Sequence, residues 1–327
     1  MYQALYRKWR PQTFADVIGQ QHITDTLRAQ LQSGRLSHAY LFTGTRGTGK
    51  TTCAKILARA VNCEHPVNGD PCNECAACRG ILDGSVLDVT EIDAASNNGV
   101  DNIRDLRDET RYTPAQVRKR VFIIDEVHML SIGAFNALLK TLEEPPEHVL
   151  FILATTELHK VPATILSRCQ RFDFRRIGAE DISRRLLDVA AGEGIALTEG
   201  AARLIARLAD GAMRDALSML DRAAAAGAVD EKTVTAALGV MGQDDGIRLA
   251  EHLKTGDLAA AVGLLDEYYN AGRDLASVYD QMLGLIRDAL LVKTSKTDVS
   301  ALISPAYSVK TLQALCDGLA SSTLIAC

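Results

Sequence analysis

The feature that most constrains this chain is a glycine-rich loop, Gly44–Thr51, with the spacing GxxxxGK[ST]. A short apolar run at 38–42 precedes it, and helix-forming residues follow from Thr51 to Val61. A strand, a loop and a helix in this order form a P-loop, in which backbone N–H groups and the positive end of the helix dipole surround phosphate oxygens. This context disfavours the alternative, a glycine-rich turn without a ligand. The sequence therefore predicts a nucleoside triphosphate site.

The residue types in the loop suit phosphate and magnesium chemistry. Lys50 is expected to reach the β- and γ-phosphates, and the Thr51 hydroxyl is expected to bind Mg²⁺. We predict that one continuous segment holds the nucleotide: Gly44, Thr45, Arg46, Gly47, Thr48, Gly49, Lys50, Thr51 and Thr52.

Two later apolar runs end in polar residues. The run 121–124 ends in Asp125 and Glu126, which has the form of a Walker B element. Asp125 is expected to hold the Mg²⁺ shell, and Glu126 is expected to orient or deprotonate the attacking water. The run 148–154 is followed by Thr155 and Thr156, where a hydroxyl can sense the γ-phosphate. Strands that alternate with helices in this way predict a three-layer parallel α/β domain.

Four cysteines fall within one short stretch after the P-loop helix: Cys63, Cys72, Cys75 and Cys78. Their spacing suits a tetrahedral Zn²⁺ site without an open position, which indicates a structural metal. An iron–sulfur cluster and unliganded thiols are the alternatives, and the second is disfavoured by the density of cysteines. The other four of the eight cysteines are isolated and are predicted to be ordinary small apolar residues.

Length and charge limit the remaining possibilities. A chain of 327 residues is too long for one core and predicts two or three domains. The net charge of −5 gives no global basic surface for nucleic acid. The first ten residues lack the apolar stretch of a signal peptide, and no run approaches the length of a membrane span. We therefore expect a cytoplasmic protein that does not bind membranes.

Strand patterns stop near residue 178 and give way to short amphipathic helices. We predict a nucleotide-binding domain at 1–177 with the cysteine module at 63–78, a small helical domain at 178–240 and a further helical segment at 244–327. Arg214 lies near the start of a predicted helix, so it either meets a neighbouring anion or is a solvated surface residue.

An apolar group precedes the first strand and is expected to pack as a small shelf: Pro11, Phe14, Val17 and Ile18. Such a shelf either holds a nucleobase or is plain core packing, and the sequence favours neither.

Taken together, these residues resemble the gamma/tau subunit family of bacterial DNA polymerase III, the AAA+ ATPases of the replicative clamp loader. The four cysteines between a P-loop and Asp125–Leu130 are the most specific part of the resemblance. Besides the motifs above, seven further segments resemble the family: Tyr6–Pro11, Phe14–Gln20, Glu91–Ser96, Phe135–Pro146, Leu153–Glu157, Ser167–Cys169 and Gly211–Leu217.

The resemblance implies roles for three further residues. Thr156 matches the sensor 1 residue and Arg214 matches sensor 2, both of which respond to the nucleotide. Arg168, in Ser167–Cys169, matches an arginine that acts in trans on the ATP of a neighbouring subunit. The implied cofactors are ATP, Mg²⁺ and a structural Zn²⁺. The helical domains correspond to a lid at 178–240 and an oligomerisation collar at 244–327.

The family also implies partners. Its members work in a five-membered assembly with the delta and delta-prime subunits and further copies of themselves. This assembly opens the sliding clamp, places it on primed DNA and serves the polymerase core. The collar segment ends at Cys327, so we expect it to be truncated and the tau tail to be missing. The alternatives are a non-hydrolysing structural loader subunit and another AAA+ DNA motor, such as a branch-migration helicase.

Overall fold

The computed structural model describes residues 2–225, 227–241 and 243–270, together with 275, 278, 279, 282–284 and 286. The chain divides into two compact units, Met1–Asp221 and Arg222–Cys327. The greater part of the predicted collar, including its predicted truncation, lies outside the described residues. The predicted domain limits near 177 and 240 stay predictions.

The first unit is built on a five-stranded sheet in which every neighbouring pair of strands is parallel. The strands are β1 Ala39–Thr43, β2 Val89–Asp93, β3 Arg120–Asp125, β4 Val149–Thr155 and β5 Gln170–Asp173. Their order is β2-β3-β4-β1-β5. The central strands β1 and β4 are buried along their whole length, as expected for a parallel sheet that is covered on both faces. Because the strands are parallel, their carboxyl ends meet at one edge.

Helices cover both faces of this sheet. They are α1 Leu5–Lys8, α2 Gln21–Ser33, α3 Lys50–Asn62, α4 Ala76–Asp83, α5 Val100–Glu109, α6 Ile132–Glu143 and α7 Ala163–Leu166. One core contains side chains of α2 and α3, such as Leu27 and Ile56, with Phe42 of β1. The other contains side chains of α5 and α6, such as Leu106 and Leu138. The predicted three-layer parallel α/β fold is confirmed.

Helices follow the last strand. They are α8 Ala179–Glu193, α9 Glu199–Leu208, α10 Met213–Ala224, α11 Glu231–Leu238, α12 Gln243–Thr255 and α13 Leu258–Asn270. Side-chain caps mark two of their starts, since Thr198 accepts a hydrogen bond from the Ala201 N–H and Asp230 accepts one from the Thr233 N–H. In the second unit, α12 and α13 share a core with Leu249 and Leu264. Within the described part of the chain, every helix is too short or too polar to cross a membrane.

Candidate functional site

The P-loop connects β1 to α3 at the carboxyl edge of the sheet. Gly47 has φ +77°, and a Cβ at this position would lie 2.8 Å from the Ala212 Cβ. Only glycine combines this backbone conformation with so close an approach. The loop therefore packs against the residue that directly precedes α10, two positions before Arg214.

Lys50 begins α3, and its side chain turns back into the loop. Its Nζ donates hydrogen bonds of 2.9 Å to the carbonyl oxygens of Gly44 and Thr45. Burial lowers the pKa of Lys50, while the nearby carboxylates of Glu126 and Asp125 oppose that shift. A buried ammonium beside two loop carbonyls can bind an anion that lies in the same loop.

Thr51 and Asp125 bring two oxygen ligands together from different elements. The Thr51 hydroxyl donates a hydrogen bond of 2.7 Å to Asp125 Oδ2, so the start of α3 meets the end of β3. Hydroxyl and carboxylate oxygens are the ligands that Mg²⁺ prefers, and Mg²⁺ commonly binds through one or two such groups together with substrate phosphates. The paired atoms fit that ion.

Glu126 lies in the left-handed region, with φ +47°, directly after β3. This conformation is costly for a residue with a side chain and is found most often at functional positions. Its carboxylate accepts hydrogen bonds from the Thr156 hydroxyl at 2.9 Å and from the Thr156 N–H at 3.3 Å. The tip of β4 therefore fixes the carboxylate at the end of β3.

His128 supports this arrangement and was not predicted. Its ring lies 3.1 Å from Thr155 Oγ1 through Nδ1 and 3.2 Å from Glu157 Oε1 through Nε2. The side chain is 6% exposed, so these contacts are shielded from solvent. The sequence contained His128 only as a neighbour of the Walker B acids, with no pattern to indicate a bond to the next strand.

Lys50, Thr51, Asp125 and Glu126 line one cavity of about 610 Å³. Most of the predicted nucleotide-binding residues line it, namely Arg46, Gly47, Thr48, Gly49, Lys50, Thr51, Thr52 and Arg214, as do Asp125 and Glu126. Gly44 and Thr45 instead accept the hydrogen bonds of Lys50. Thr156 is outside the lining and reaches the site through Glu126.

The apolar shelf forms one wall of the cavity, with one exception. Pro11, Val17 and Ile18 line it, together with Ile177. Phe14 does not, because its ring is 1% exposed and packs in the core beneath the sheet face. Of the two alternatives for the shelf, a nucleobase wall and core packing, core packing holds for Phe14.

Two groups of the cavity, one cationic and one aromatic, were missed by the sequence analysis. Arg10 lines the cavity, and its Nε donates a hydrogen bond of 3.1 Å to Thr52 Oγ1. Tyr6 lies under the Arg214 guanidinium, 5.0 Å from ring centroid to Cζ. Burial lowers the pKa of Arg10. These residues belong to Tyr6–Pro11, a segment that the sequence marked as distinctive without indicating where it packs.

Arg168 lies apart from the cavity formed by the described residues. Its guanidinium donates hydrogen bonds of 2.8 Å to Glu143 Oε1 and 2.9 Å to the Thr164 carbonyl oxygen. It is thus held at the junction of α6 and α7. The residue is absent from its own nucleotide site, and a role on a neighbour's site stays a prediction.

The four predicted cysteine ligands converge. The Sγ atoms of Cys63, Cys72, Cys75 and Cys78 all lie within 4.8 Å of one another. Backbone N–H groups donate to three of these sulfurs, including those of Cys72 to Cys63 Sγ and of Cys75 to Cys72 Sγ, both at 3.3 Å. The N–H groups of Glu74 and Cys75 lower the pKa of the Cys72 thiol to about 6. We refer to residues 63–78 as the cysteine knuckle.

The knuckle fits a single zinc ion by its donor set and size. Four thiolates at the usual Zn–S distance of about 2.3 Å are separated from each other by about 3.8 Å. The sulfurs here lie within 4.8 Å of one another, a limit that includes that spacing. Burial raises the pKa of the Cys78 thiol, and a bound dication would supply the charge that favours the thiolate. The four sulfurs would fill all positions of a tetrahedral ion, so such a site would be closed.

Comparisons with known proteins agree with this architecture. Family models match three successive segments: "DNA polymerase III, delta subunit" at 19–178, "DNA polymerase III clamp loader subunit, ATPase lid domain" at 181–229, and "DNA polymerase III subunits gamma and tau domain III" at 229–327. The DNA polymerase III gamma subunit of Buchnera aphidicola is 43% identical over 284 residues, covering 86% of this chain and 79% of that protein. The chain belongs to the gamma/tau family of DNA polymerase III subunits.

Other members of the family are longer than this chain. The tau subunit of Bacillus subtilis is 55% identical over 296 residues, which are 90% of this chain and 53% of the relative. The tau subunit of Escherichia coli is 47% identical over the same length, 46% of that protein. The chain thus spans about half the length of these tau relatives.

The fold also occurs in a more distant protein. The solved structure of the Thermotoga maritima RuvB Holliday junction branch migration motor matches with a TM-score of 0.56 at 16% identity, covering 89% of this chain and 99% of RuvB. At this identity the likeness concerns the fold alone. The predicted family and fold class are confirmed.

Proposed function

We propose that this chain binds and hydrolyses ATP as a motor subunit of the DNA polymerase III clamp loader. The observation that carries the proposal is the convergence, in one cavity, of Lys50 and Thr51 from the P-loop with Asp125 and Glu126 from the end of β3. Phosphoryl transfer needs positioned cations and an oriented water more than covalent chemistry, and this set contains the groups for both tasks.

The phosphate side of the site is built by the P-loop and by cations. The backbone N–H groups of the loop and the Lys50 ammonium bind the β- and γ-phosphates, and Arg214 acts as the sensor 2 cation from α10. Arg10 lines the same cavity and offers a further guanidinium. Pro11, Val17 and Ile18 form the apolar wall for the adenine ring.

Hydrolysis is assigned to the Glu126 carboxylate. It orients the attacking water and accepts its proton, while the hydrogen bonds from Thr156 hold it in place as sensor 1. Thr51 and Asp125 would hold Mg²⁺, which supplies charge neutralisation on the phosphates when bound. The left-handed backbone at Glu126 fixes the direction of the side chain.

Within the assembly, we propose that Arg168 completes the site of a neighbouring subunit. Two observations support this role. Arg168 lies away from its own cavity, and its hydrogen bond to Glu143 holds the side chain at the surface. The partners are the delta and delta-prime subunits, further copies of this chain, the sliding clamp and primed DNA, with the polymerase core joined through the complex. We assign the protein to the cytoplasm. We also propose that the knuckle binds a structural Zn²⁺.

The test is the ATPase rate of the purified chain, measured alone and with delta, delta-prime, sliding clamp and primed DNA. We expect slow turnover alone and strong stimulation in the complete mixture. ATP binding without hydrolysis in every mixture would indicate a non-hydrolysing structural subunit. Stimulation by Holliday junctions without any effect of the clamp would indicate a branch-migration motor.

A further inference from the structure

One loop of the cysteine knuckle contacts the segment that forms the apolar wall of the nucleotide cavity. This knuckle loop, residues 67–73, lies between Cys63 and Cys75 in the chain. It is closed on itself, since the Val67 and Asp70 backbones exchange hydrogen bonds of 3.0 and 2.9 Å. Gly69 at its tip has φ +84°, and a Cβ there would lie 2.9 Å from the Arg28 backbone. The loop is therefore pressed against α2 without space for a side chain.

Asp70 makes the first connection out of the knuckle. Its Oδ1 accepts a hydrogen bond of 2.5 Å from the Phe14 N–H. Its Oδ2 accepts two from the Arg28 guanidinium of α2, at 2.6 and 3.0 Å. The Asp70 side chain is 15% exposed, so these charge-assisted bonds are only weakly screened by solvent.

Arg59 makes the second connection. It belongs to α3, the helix that starts at the P-loop lysine, and the residue is only 4% exposed. Its Nη2 donates to the Gln12 carbonyl oxygen at 2.9 Å, and its Nε donates to Asn73 Oδ1 of the knuckle loop at 3.1 Å. Asn73 Nδ2 donates to the same Gln12 carbonyl at 3.3 Å. Arg59 and Asn73 thus both donate hydrogen bonds to the Gln12 carbonyl oxygen.

The contacted residues lie inside the wall segment itself. Gln12 and Phe14 are flanked in the chain by Pro11 and by Val17 and Ile18, which line the cavity. The knuckle therefore fixes the middle of a segment whose two ends face the nucleotide site.

We propose that the cysteine knuckle is a positioning element of the nucleotide site, so that metal and nucleotide binding favour each other. Asp70 of the knuckle holds the apolar wall directly, and Asn73 of the knuckle holds it together with Arg59 of α3. The proposal rests on the proposed function, because it takes the cavity as an ATP site and the knuckle as a zinc site. By linkage, a metal that strengthens nucleotide binding is itself held more tightly when nucleotide is bound. A knuckle that served only to stabilise the fold would couple the two ligands only through unfolding, so that replacing Asp70 in a chain that stays folded would leave the ADP affinity unchanged.

The first experiment compares Asp70→Ala with Asp83→Ala in the full chain. Asp83 is the matched control, because it ends α4, the helix that begins in the knuckle, and its carboxylate accepts a hydrogen bond from the neighbouring Ser85 N–H. Zinc content and the dissociation constant for ADP are measured for each by metal analysis and calorimetry. We expect Asp70→Ala to bind ADP about tenfold more weakly, a modest allosteric coupling, and Asp83→Ala to match the wild type.

The second experiment can overturn the inference with the wild-type chain alone, even if Asp70→Ala does not fold. Zinc release from the wild-type chain to a chromogenic chelator is followed with and without saturating ADP. We expect ADP to slow release about tenfold in the wild type and in Asp83→Ala. In a folded Asp70→Ala at saturating ADP, this protection is expected to be lost, which distinguishes coupling through Asp70 from general stabilisation by the ligand.

The outcomes separate this inference from the proposed function. A wild-type chain that holds zinc and binds ADP, but releases zinc at one rate with and without ADP, would overturn the inference alone. So would a folded Asp70→Ala with wild-type ADP affinity. A wild-type chain that binds no ADP or holds no zinc would overturn the proposed function, and the inference with it.

Discussion

The cysteine knuckle and the nucleotide cavity gather their ligands in opposite ways. The knuckle takes four sulfurs from residues 63–78, a single short segment. The cavity takes its groups from the ends of β1 and β3, from the N-terminal segment and from α10, which are far apart in the chain. The knuckle is formed by residues that are close in the sequence, whereas the cavity is formed by residues that only the tertiary fold brings together.

The two sites also differ in completeness. Four thiolates satisfy a tetrahedral zinc ion, so nothing outside the chain is needed at the knuckle. In the cavity, the phosphate and water-activating groups converge, but Arg168 is bound to Glu143 elsewhere. From this difference we expect the closed site to stabilise structure and the open one to depend on a neighbour for its full rate. The following predictions test this contrast, from the largest expected effect to the smallest.

The largest effect is expected for Arg168→Ala in the assembled loader. The clamp- and DNA-stimulated ATPase rate should fall by about 10³ or more, because an arginine supplied in trans neutralises transition-state charge. ATP affinity of the isolated chain should be unchanged, since the residue lies outside its own cavity. Arg171→Ala, an exposed arginine paired with Asp173 on β5, is the matched control. If Arg168→Ala had the stimulated rate of the wild type, the nucleotide site would not depend on this arginine of a neighbour.

Glu126→Gln tests the water-activating side of the cavity. The hydrolysis rate should fall by about 10³, because an amide accepts no proton from the water. ATP binding should persist, since the phosphate ligands are untouched. Single-turnover hydrolysis and equilibrium binding separate the two quantities, with Glu144→Gln as an exposed control. Normal hydrolysis would exclude Glu126 as the base.

Lys50→Ala tests the phosphate side. ATP affinity should fall about 100-fold, because a hydrogen bond to a charged group contributes roughly 1.5–3 kcal/mol. Calorimetric titration with ATP measures the change, and zinc content serves as an internal control that the knuckle remains folded. Wild-type affinity would show that the P-loop does not hold the phosphates.

Cys75→Ser tests the knuckle. The variant should lose its one zinc ion per chain and unfold at a temperature lower by about 5 °C or more, because a closed metal site contributes directly to folding. Metal analysis after dialysis and thermal unfolding measure both effects. Iron in the wild-type protein, or a metal-free native chain, would contradict the zinc assignment.

The sequence predicted what depends on local order. The P-loop lysine, the acids after β3 and the four cysteines follow from short patterns whose geometry is set by neighbouring residues. Thr156 was correctly assigned to a strand tip, yet its contact with Glu126 required the pairing of β3 with β4.

Other parts of the site could not be read from the sequence, because they depend on contacts between distant segments. Arg10 and Tyr6 line the cavity because hydrogen bonds to residues distant in the sequence fix the N-terminal segment. One example is the bond from Trp9 Nε1 to Glu193 Oε1, at 2.6 Å. The sequence left the place of Phe14 open, because an apolar residue beside a cavity and one in the core carry the same pattern.

The most direct test of the central claim, that the nucleotide site is completed by a neighbour, mixes two inactive variants. One chain carries Glu126→Gln and keeps its Arg168, while the other carries Arg168→Ala and keeps its own catalytic carboxylate. Each is assembled with delta, delta-prime, clamp and primed DNA, alone and as an equal mixture, and the ATPase rate is measured. If Arg168 acts in trans, the mixture recovers a substantial share of the wild-type rate, because some interfaces pair an intact site with an intact arginine. A co-assembled mixture no more active than either variant alone would contradict the claim.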